Sequence, residues 1–170
     1  MKVIGVDPGN TGAVAVVGDT TVECNNFRRI VFDPATIGKA KKPAPVIDGD
    51  WLLGVFERYI GGEYLFALER VNANPTFGSK GSFTFGRACG QIISVMQVLG
   101  IQPVFVSPRK WKQEYGLVSD RKKGKIVPKE ASIDKILEFF PDAVIDNHNQ
   151  ADAALIAHYV RRKVLNGDTI

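Results

Sequence analysis

The sequence has only two cysteines, Cys24 and Cys89, and they lie far apart. Two distant cysteines define neither a disulfide framework nor a zinc-binding knuckle, so both are expected to be reduced thiols. No run of about 18 apolar residues occurs, which argues against a membrane-spanning helix. Residues 1–5 lack the regions of a signal peptide and lead straight into a strand-like segment. These absences favour an intracellular protein with no membrane partner.

The composition is that of an ordinary globular protein. Of the 170 residues, 45% are hydrophobic and 24% are charged, which suits one domain with a sizeable core. We therefore expect a single domain over residues 1–170. The net charge of +4 permits a phosphate-rich partner without requiring one.

Apolar patterns predict strands and helices in a definite order. The predicted strands cover residues 2–7, 13–17, a stretch near 21–30, 64–71 and 103–106. The predicted helices cover residues 48–60, 83–99, a segment that begins at Ser107-Pro108, 129–140 and 149–164. Loops are predicted at 31–47 and 72–82, and residues 115–128 are polar and basic. Three strands followed by alternating helices and strands predict an α/β fold with a mixed five-stranded sheet flanked by helices.

Three acidic residues stand out because each belongs to an apolar element. Asp7 ends the first predicted strand, Glu69 follows four apolar residues on another strand, and Asp152 lies near the start of the last helix. A carboxylate in such surroundings is costly unless it is paired, hydrogen-bonded or bound to a metal. If the three converge, they can hold divalent cations such as Mg²⁺, which prefers oxygen ligands.

Each acid also has a purely structural interpretation. Asp7 can cap the turn that follows it. Glu69 can pair with Arg70 or another base, and Asp152 can complement the dipole of the last helix from its first turn. Spacing along the sequence does not decide between these interpretations and a shared metal site.

Three segments carry a resemblance to a known family. They are residues 4–12 around Asp7, residues 67–70 around Glu69 with residues 86–90 beyond them, and residues 148–157 around Asp152. In their order and separation they resemble the RuvC-like Holliday junction resolvases, including the shorter phage-type members. The resemblance implies a ribonuclease H-like fold, a homodimer, and paired nicks in a four-way DNA junction. It also implies two Mg²⁺ ions per site, replaceable by Mn²⁺, and a place in the cytoplasm of a bacterial or phage-infected cell.

The resemblance assigns roles to individual residues. The family's catalytic acids fall on Asp7, Glu69 and Asp152. A further acid, sometimes a histidine, is usual three residues before the last aspartate, where this chain has Asn149. An amide oxygen can bind a metal but brings no charge, and the adjacent His148 is an alternative ligand. Asn149 fits either a natural residue or an aspartate altered to inactivate the enzyme.

Two lysines match catalytic positions of the family. They are Lys112, within the segment 107–113, and Lys129, at the start of a predicted helix. Both can contact the scissile phosphate or stabilise charge in the transition state. The alternative is that they are surface lysines at helix ends.

A basic segment and a polar loop form the predicted DNA-binding surface, because basic groups attract the phosphate backbone. The predicted contacts are Phe77, Lys80, Arg109, Lys110, Lys122, Lys123 and Lys125. Phe77 is the candidate for the aromatic that the family inserts into the junction centre, whereas Phe83 and Phe85 are expected to pack in the next helix. The resemblance implies that dimers pair through that helix, and its apolar residues between Ile92 and Leu99 are compatible with a partly buried interface. A solvated charged surface and a wholly intramolecular core are the alternatives.

Two other functions fit parts of the sequence. Residues 6–12 also resemble the phosphate loop of sugar kinases and actin-like ATPases, but the sequence has no second loop of that kind. A non-catalytic protein that binds branched DNA is compatible with Asn149.

Overall fold

A mixed five-stranded sheet lies at the centre of the fold. The computed structural model describes residues 1–9, 11–31, 45–70, 78–119, 124 and 126–170. In chain order the strands are β1 (Lys2–Asp7), β2 (Ala13–Val17), β3 (Val22–Asn26), β4 (Arg29–Ile30), β5 (Val46–Ile47), β6 (Tyr64–Glu69) and β7 (Val104–Val106). The main sheet has the order β3-β2-β1-β6-β7, and β4 pairs separately with β5. The pairs β1–β2 and β2–β3 are antiparallel, while β1–β6 and β6–β7 are parallel.

Helices cover both faces of the sheet. They are α1 (Gly49–Glu57), α2 (Ser79–Val98), α3 (Pro108–Glu114), α4 (Ala131–Phe139) and α5 (His148–Asn166). Helices α1 and α2 pack on one face, in a core that includes Leu52 and Ile92. Helices α3, α4 and α5 contribute to the core on the other face, which includes Trp111 and Ile136. The sheet is thus buried on both sides, as a sheet with parallel strands requires.

The alternation of side chains along β1 assigns its residues to these two cores. Ile4 and Val6 belong to the core with α1 and α2. Val3 belongs to the core with α5, and Gly5 faces the same helix because successive residues of a strand point to opposite faces. Asp7, two residues further on, therefore also lies on the α5 face.

Gly5 allows α5 to pack directly against the backbone of β1. A Cβ atom at this position would lie 2.0 Å from the carbonyl oxygen of Ala153 and 2.9 Å from the Cβ of Ala157. No side chain fits in that space, so the close approach depends on glycine. Because Asp152 precedes Ala153, the same approach brings Asp152 towards the end of β1.

The first prediction concerns this contact. Gly5→Ala is expected to lower the free energy of unfolding by about 3 kcal/mol or more, because the clash is with helix backbone that cannot rotate away. Gly54→Ala in α1 is the matched control. Its added Cβ would have no neighbour within 4 Å, and alanine favours helix by up to about 1 kcal/mol. Urea unfolding of both variants measures the difference, and equal stabilities would contradict this account of β1–α5 packing.

Most of the predicted strands and helices are confirmed, with four differences. In the predicted loops, residues 32–44, 72–77, 120–123 and 125 lie outside the described residues. The third predicted strand is divided into β3 and β4, and the predicted loop 31–47 ends in strand β5. Helix α2 begins at Ser79 rather than at residue 83. Phe83 was expected to pack in that helix, but 71% of it is exposed. Phe83 is exposed because it lies on the side of α2 that faces away from the sheet. Which side faces away depends on how the helix packs on the sheet. None of the helices in the described part of the chain is long and apolar enough to cross a membrane.

Candidate active site

The sheet brings Asp7 and Glu69 together at the ends of two parallel strands. Gly5 of β1 is paired with Ala67 of β6, and the two acids lie two residues beyond that pair. Both are the last residues of their strands. Strand β7 is parallel to β6 and leads into α3, so three parallel strands end at this edge. Such an edge is a common position for a ligand site in α/β sheets.

Helix α5 supplies the third acid, Asp152. Asn147 caps this helix, because its side-chain oxygen accepts hydrogen bonds from the backbone N–H groups of Asn149 (3.0 Å) and Gln150 (3.2 Å). Helix α5 therefore begins at His148, and Asp152 is its fifth residue. Asp152 is not a first-turn acid, so the interpretation as a simple dipole partner is wrong.

Burial raises the pKa of all three carboxylates, and neighbouring acids add to the shifts of Asp7 and Glu69. The pKa of Asp7 is well above its ordinary value, because burial disfavours the charged form and because Glu69 and Asp152 lie nearby. Burial also raises the pKa of Glu69, and a hydrogen bond from Trp111 opposes that shift. The pKa of Asp152 is raised by burial and lowered by Lys112 in particular. The result is a group of three acids that are all harder to ionise than free carboxyl groups.

Lys112 provides the nearest positive charge to this cluster. Its Nζ atom lies 3.9 Å from Oδ2 of Asp152, and its charge also lowers the pKa of Asp7. Lys129 and Ser132 lie on the same side, and both act to lower the pKa of Asp152. Lys112 is thus a partly exposed lysine in the last turn of α3 that also pairs with a site acid.

These groups line one open cleft of about 540 Å³. Its lining includes Asp7, Lys112, Lys129, His148, Asn149 and Asp152. Six of the predicted site residues thus share one cavity.

Glu69 lines a second, smaller cavity of about 250 Å³, together with Cys89 and Phe105, and Pro8 lines both. Burial raises the pKa of the Cys89 thiol to about 11, so this cysteine is a neutral thiol near pH 7.

Asn149 is held by the turn that follows β1. Its Nδ2 atom donates a 2.7 Å hydrogen bond to the carbonyl oxygen of Thr11. An aspartate could not donate this bond. The amide is therefore engaged with the chain itself, and its oxygen is the atom left for a ligand. His148 lies beside it at the start of α5 and faces the same cleft.

The donor set suits a hard divalent cation. Carboxylate oxygens are the ligands that Mg²⁺ prefers, and a bound cation would relieve the repulsion that raises the pKa of Asp7. In the part of the chain that the structure describes, no three side chains of His, Cys, Asp or Glu gather closely enough to hold one ion. The residues nevertheless fit the metal by their chemistry. Asp7, Glu69 and Asp152 offer carboxylate oxygens, and Asn149 offers its amide oxygen.

The predicted DNA contacts fall into two groups. Lys80, in the first turn of α2, and Arg109 and Lys110, on α3, are at least partly exposed. The others, Phe77, Lys122, Lys123 and Lys125, lie outside the described residues. The three cations on α2 and α3 therefore stay candidates for contacts with phosphate groups.

Sequence analysis did not identify Trp111 as a partner of the site. Its Nε1 atom donates a 2.9 Å hydrogen bond to Oε1 of Glu69, so the partner of Glu69 is an indole rather than Arg70. A buried tryptophan usually finds an acceptor for its N–H group. Because Trp111 directly precedes the candidate Lys112, this rule could have predicted that its N–H group donates to a group of the site.

The sheet order defines the fold class of this chain. The mixed five-stranded sheet and its flanking helices are those of a RuvC-type ribonuclease H-like fold. Two similar solved structures are from Thermus thermophilus. RuvC in complex with a Holliday junction substrate has a TM-score of 0.63 and 19% identity, over 98% of this chain and 96% of that chain. A Thermus thermophilus RuvC structure has a TM-score of 0.58 and 19% identity, over 98% and 97%. No protein-family model matches the chain, and no curated protein matches it.

Proposed function

We propose that this chain is a phage-type RuvC-like endonuclease that resolves four-way DNA junctions with Mg²⁺. The observation that carries the proposal is the position of Asp7, Glu69 and Asp152 at one edge of a RuvC-like sheet, with Lys112 beside them. Mutual repulsion among buried acids prepares such a site for cations. The similar Thermus thermophilus structure contains RuvC with a Holliday junction substrate, which supports the choice of substrate.

The proposed roles follow from charge and position. Asp7, Glu69, Asp152 and the oxygen of Asn149 or a nitrogen of His148 hold up to two ions, and Mn²⁺ can replace Mg²⁺. When bound, the ions activate water and stabilise the leaving oxygen of a phosphodiester. Lys112 and Lys129 face the same cleft and stabilise negative charge on the scissile phosphate. Lys80, Arg109 and Lys110 bind the DNA backbone, as do Lys122, Lys123 and Lys125, and Phe77 stacks at the junction centre.

A homodimer through α2 completes the proposal, because two coordinated nicks need two sites. The outer side of α2 carries Phe83 and Val98, which are 71% and 80% exposed. Ile93, Val95 and Leu99 are only partly buried against the core. Exposed apolar surface of this kind supports a partner contact. The proposed location is the cytoplasm of a bacterial or phage-infected cell.

The test is cleavage of a synthetic four-way junction beside a linear duplex of the same sequence. We expect paired nicks in the junction when Mg²⁺ or Mn²⁺ is present, none in EDTA, and little cleavage of the duplex. Equal cleavage of both substrates would exclude the resolvase proposal. Asn149 favours a second candidate, a protein that binds branched DNA without cutting it. Tight junction binding without cleavage, in both the original chain and Asn149→Asp, would select that candidate.

A further inference from the structure

Trp111 contacts two groups of the candidate site at once. Its side chain is fully buried, and its indole N–H donates to Oε1 of Glu69 at 2.9 Å. Hydrogen bonds to a carboxylate are stronger than those between neutral groups, and burial strengthens them further. The bond occupies one oxygen of Glu69 and leaves Oε2 for another partner.

The face of the same indole lies against Lys112. The Nζ atom of Lys112 is 4.9 Å from the centre of the Trp111 ring and 3.9 Å from Oδ2 of Asp152. An ammonium over an indole face is attracted by the negative face of the ring. Trp111 therefore holds Glu69 through the N–H group at its edge. Its ring face contacts Lys112, which pairs with Asp152.

Helix α3, which carries Trp111, contacts α5 through the residues at the C-terminal end of α3. The hydroxyl of Tyr115 and Nδ1 of His158 are 3.0 Å apart, and both side chains are buried. Glu114 forms ion pairs with Arg162 at 3.3 Å and with Lys163 at 3.2 Å. These contacts hold a seven-residue helix in one position, so the indole has a rigid support.

We propose that Trp111 is a positioning residue that orients the Glu69 carboxylate towards a divalent cation and keeps Lys112 at Asp152. The inference rests on the proposed function, because it gives Glu69 a metal to bind. Groups that orient a metal ligand without touching the metal typically change metal affinity or activity about 10- to 100-fold when they are removed.

The chain offers a matched control, because its two tryptophans are Trp51 and Trp111. Trp51 lies in α1, packs edge-on against Phe27 and belongs to the opposite face of the sheet. We expect Trp111→Phe to raise the Mg²⁺ concentration for half-maximal junction cleavage about 10- to 100-fold. Trp51→Phe is expected to leave it unchanged. A merely structural role for Trp111 would lower the melting temperature without shifting the Mg²⁺ requirement.

A second measurement needs neither DNA nor a substitution at Trp111. In the Trp51→Phe protein, Trp111 is the sole tryptophan, and Mg²⁺ is not itself a fluorescence quencher. Titration with MgCl₂ is expected to change Trp111 emission in a saturable way, and Glu69→Gln in the same background is expected to abolish the change. The melting temperature, measured in parallel, reports Mg²⁺ binding independently.

The outcomes separate this inference from the proposed function. If Mg²⁺ raises the melting temperature and supports cleavage but leaves Trp111 emission unchanged, Trp111 is not a positioning residue and the nuclease proposal stands. If Mg²⁺ changes neither the melting temperature nor emission and no junction is cut, both proposals are overturned. A saturable emission change that requires Glu69 supports both.

Discussion

Asp7→Asn is expected to abolish metal-dependent junction cleavage and, in the absence of metal, to make the protein more stable. We expect the cleavage rate to fall by about 1,000-fold or more, or roughly 4 kcal/mol in activation free energy. Asp7 is the acid whose pKa both other carboxylates raise, which places it centrally in the cluster. An amide keeps the shape but lacks the charge that a divalent cation needs.

The gain in stability follows from the direction of the Asp7 pKa shift. An acid whose pKa is higher in the folded state is ionised at lower pH in the unfolded chain than in the folded one. Stability is therefore lost as pH rises from the ordinary value of the acid through the raised one. The neutral amide of the Asp7→Asn variant carries no such penalty. At neutral pH and without metal we therefore expect a gain of roughly 1 kcal/mol or more, about 2–4 °C in Tm.

Thermal unfolding in EDTA at several pH values, beside a junction-cleavage assay, measures both effects. The control is Asp142→Asn, at an exposed position just after α4, which is expected to change neither. Retained cleavage in Asp7→Asn would show that the acidic cluster is not the active site. A loss of stability in EDTA would show that Asp7 is a structural hydrogen-bonding residue instead.

Asn149→Asp is expected to have the opposite effect, with cleavage about 10-fold or more above that of the original chain in Mg²⁺. The added carboxylate supplies the acid that the resemblance places three residues before Asp152. The same change is expected to lower stability in EDTA, because it adds a fourth negative charge and removes the donor of the 2.7 Å bond to Thr11. Mg²⁺ is expected to restore that stability by mass action.

Asn149→Ala is the matched control for this substitution, because it removes the bond to Thr11 without adding charge. We expect it to lose stability in EDTA, and to gain less stability from Mg²⁺ than the original chain, because the amide oxygen is also lost. The decisive comparison is the Mg²⁺-induced change in Tm of Asn149→Asp against that of Asn149→Ala. If the two changes are the same, and cleavage does not increase, position 149 is not a metal ligand in this chain.

The local pattern around each acid made part of the site predictable. Asp7 ends an apolar strand and Glu69 ends another, and both elements have the predicted type. The match to known motifs then selected Asp152 and Lys112 from many charged residues. The structure places Oδ2 of Asp152 and Nζ of Lys112 3.9 Å apart, and their catalytic roles stay a prediction.

Other parts depended on packing that no local pattern records. The bond between Trp111 and Glu69 joins residues 42 positions apart, and the bond between Asn149 and Thr11 joins residues 138 apart. The local sequence does not distinguish Phe83 from a core aromatic, yet Phe83 is exposed because its side of α2 faces away from the sheet.

The sequence by itself determined the order and type of the main elements, because hydrophobic periodicity is a local property. It also singled out the three acids as candidates, through their apolar surroundings and the match to known motifs. Only the tertiary structure decided that the acids lie near one another, at the ends of β1 and β6 and in α5. Gly5 lets α5 lie against β1, parallel pairing aligns the ends of β1 and β6, and α3 turns Trp111 towards Glu69. Each of these contacts joins distant parts of the chain, and their geometry depends on the packing of the sheet and helices as a whole.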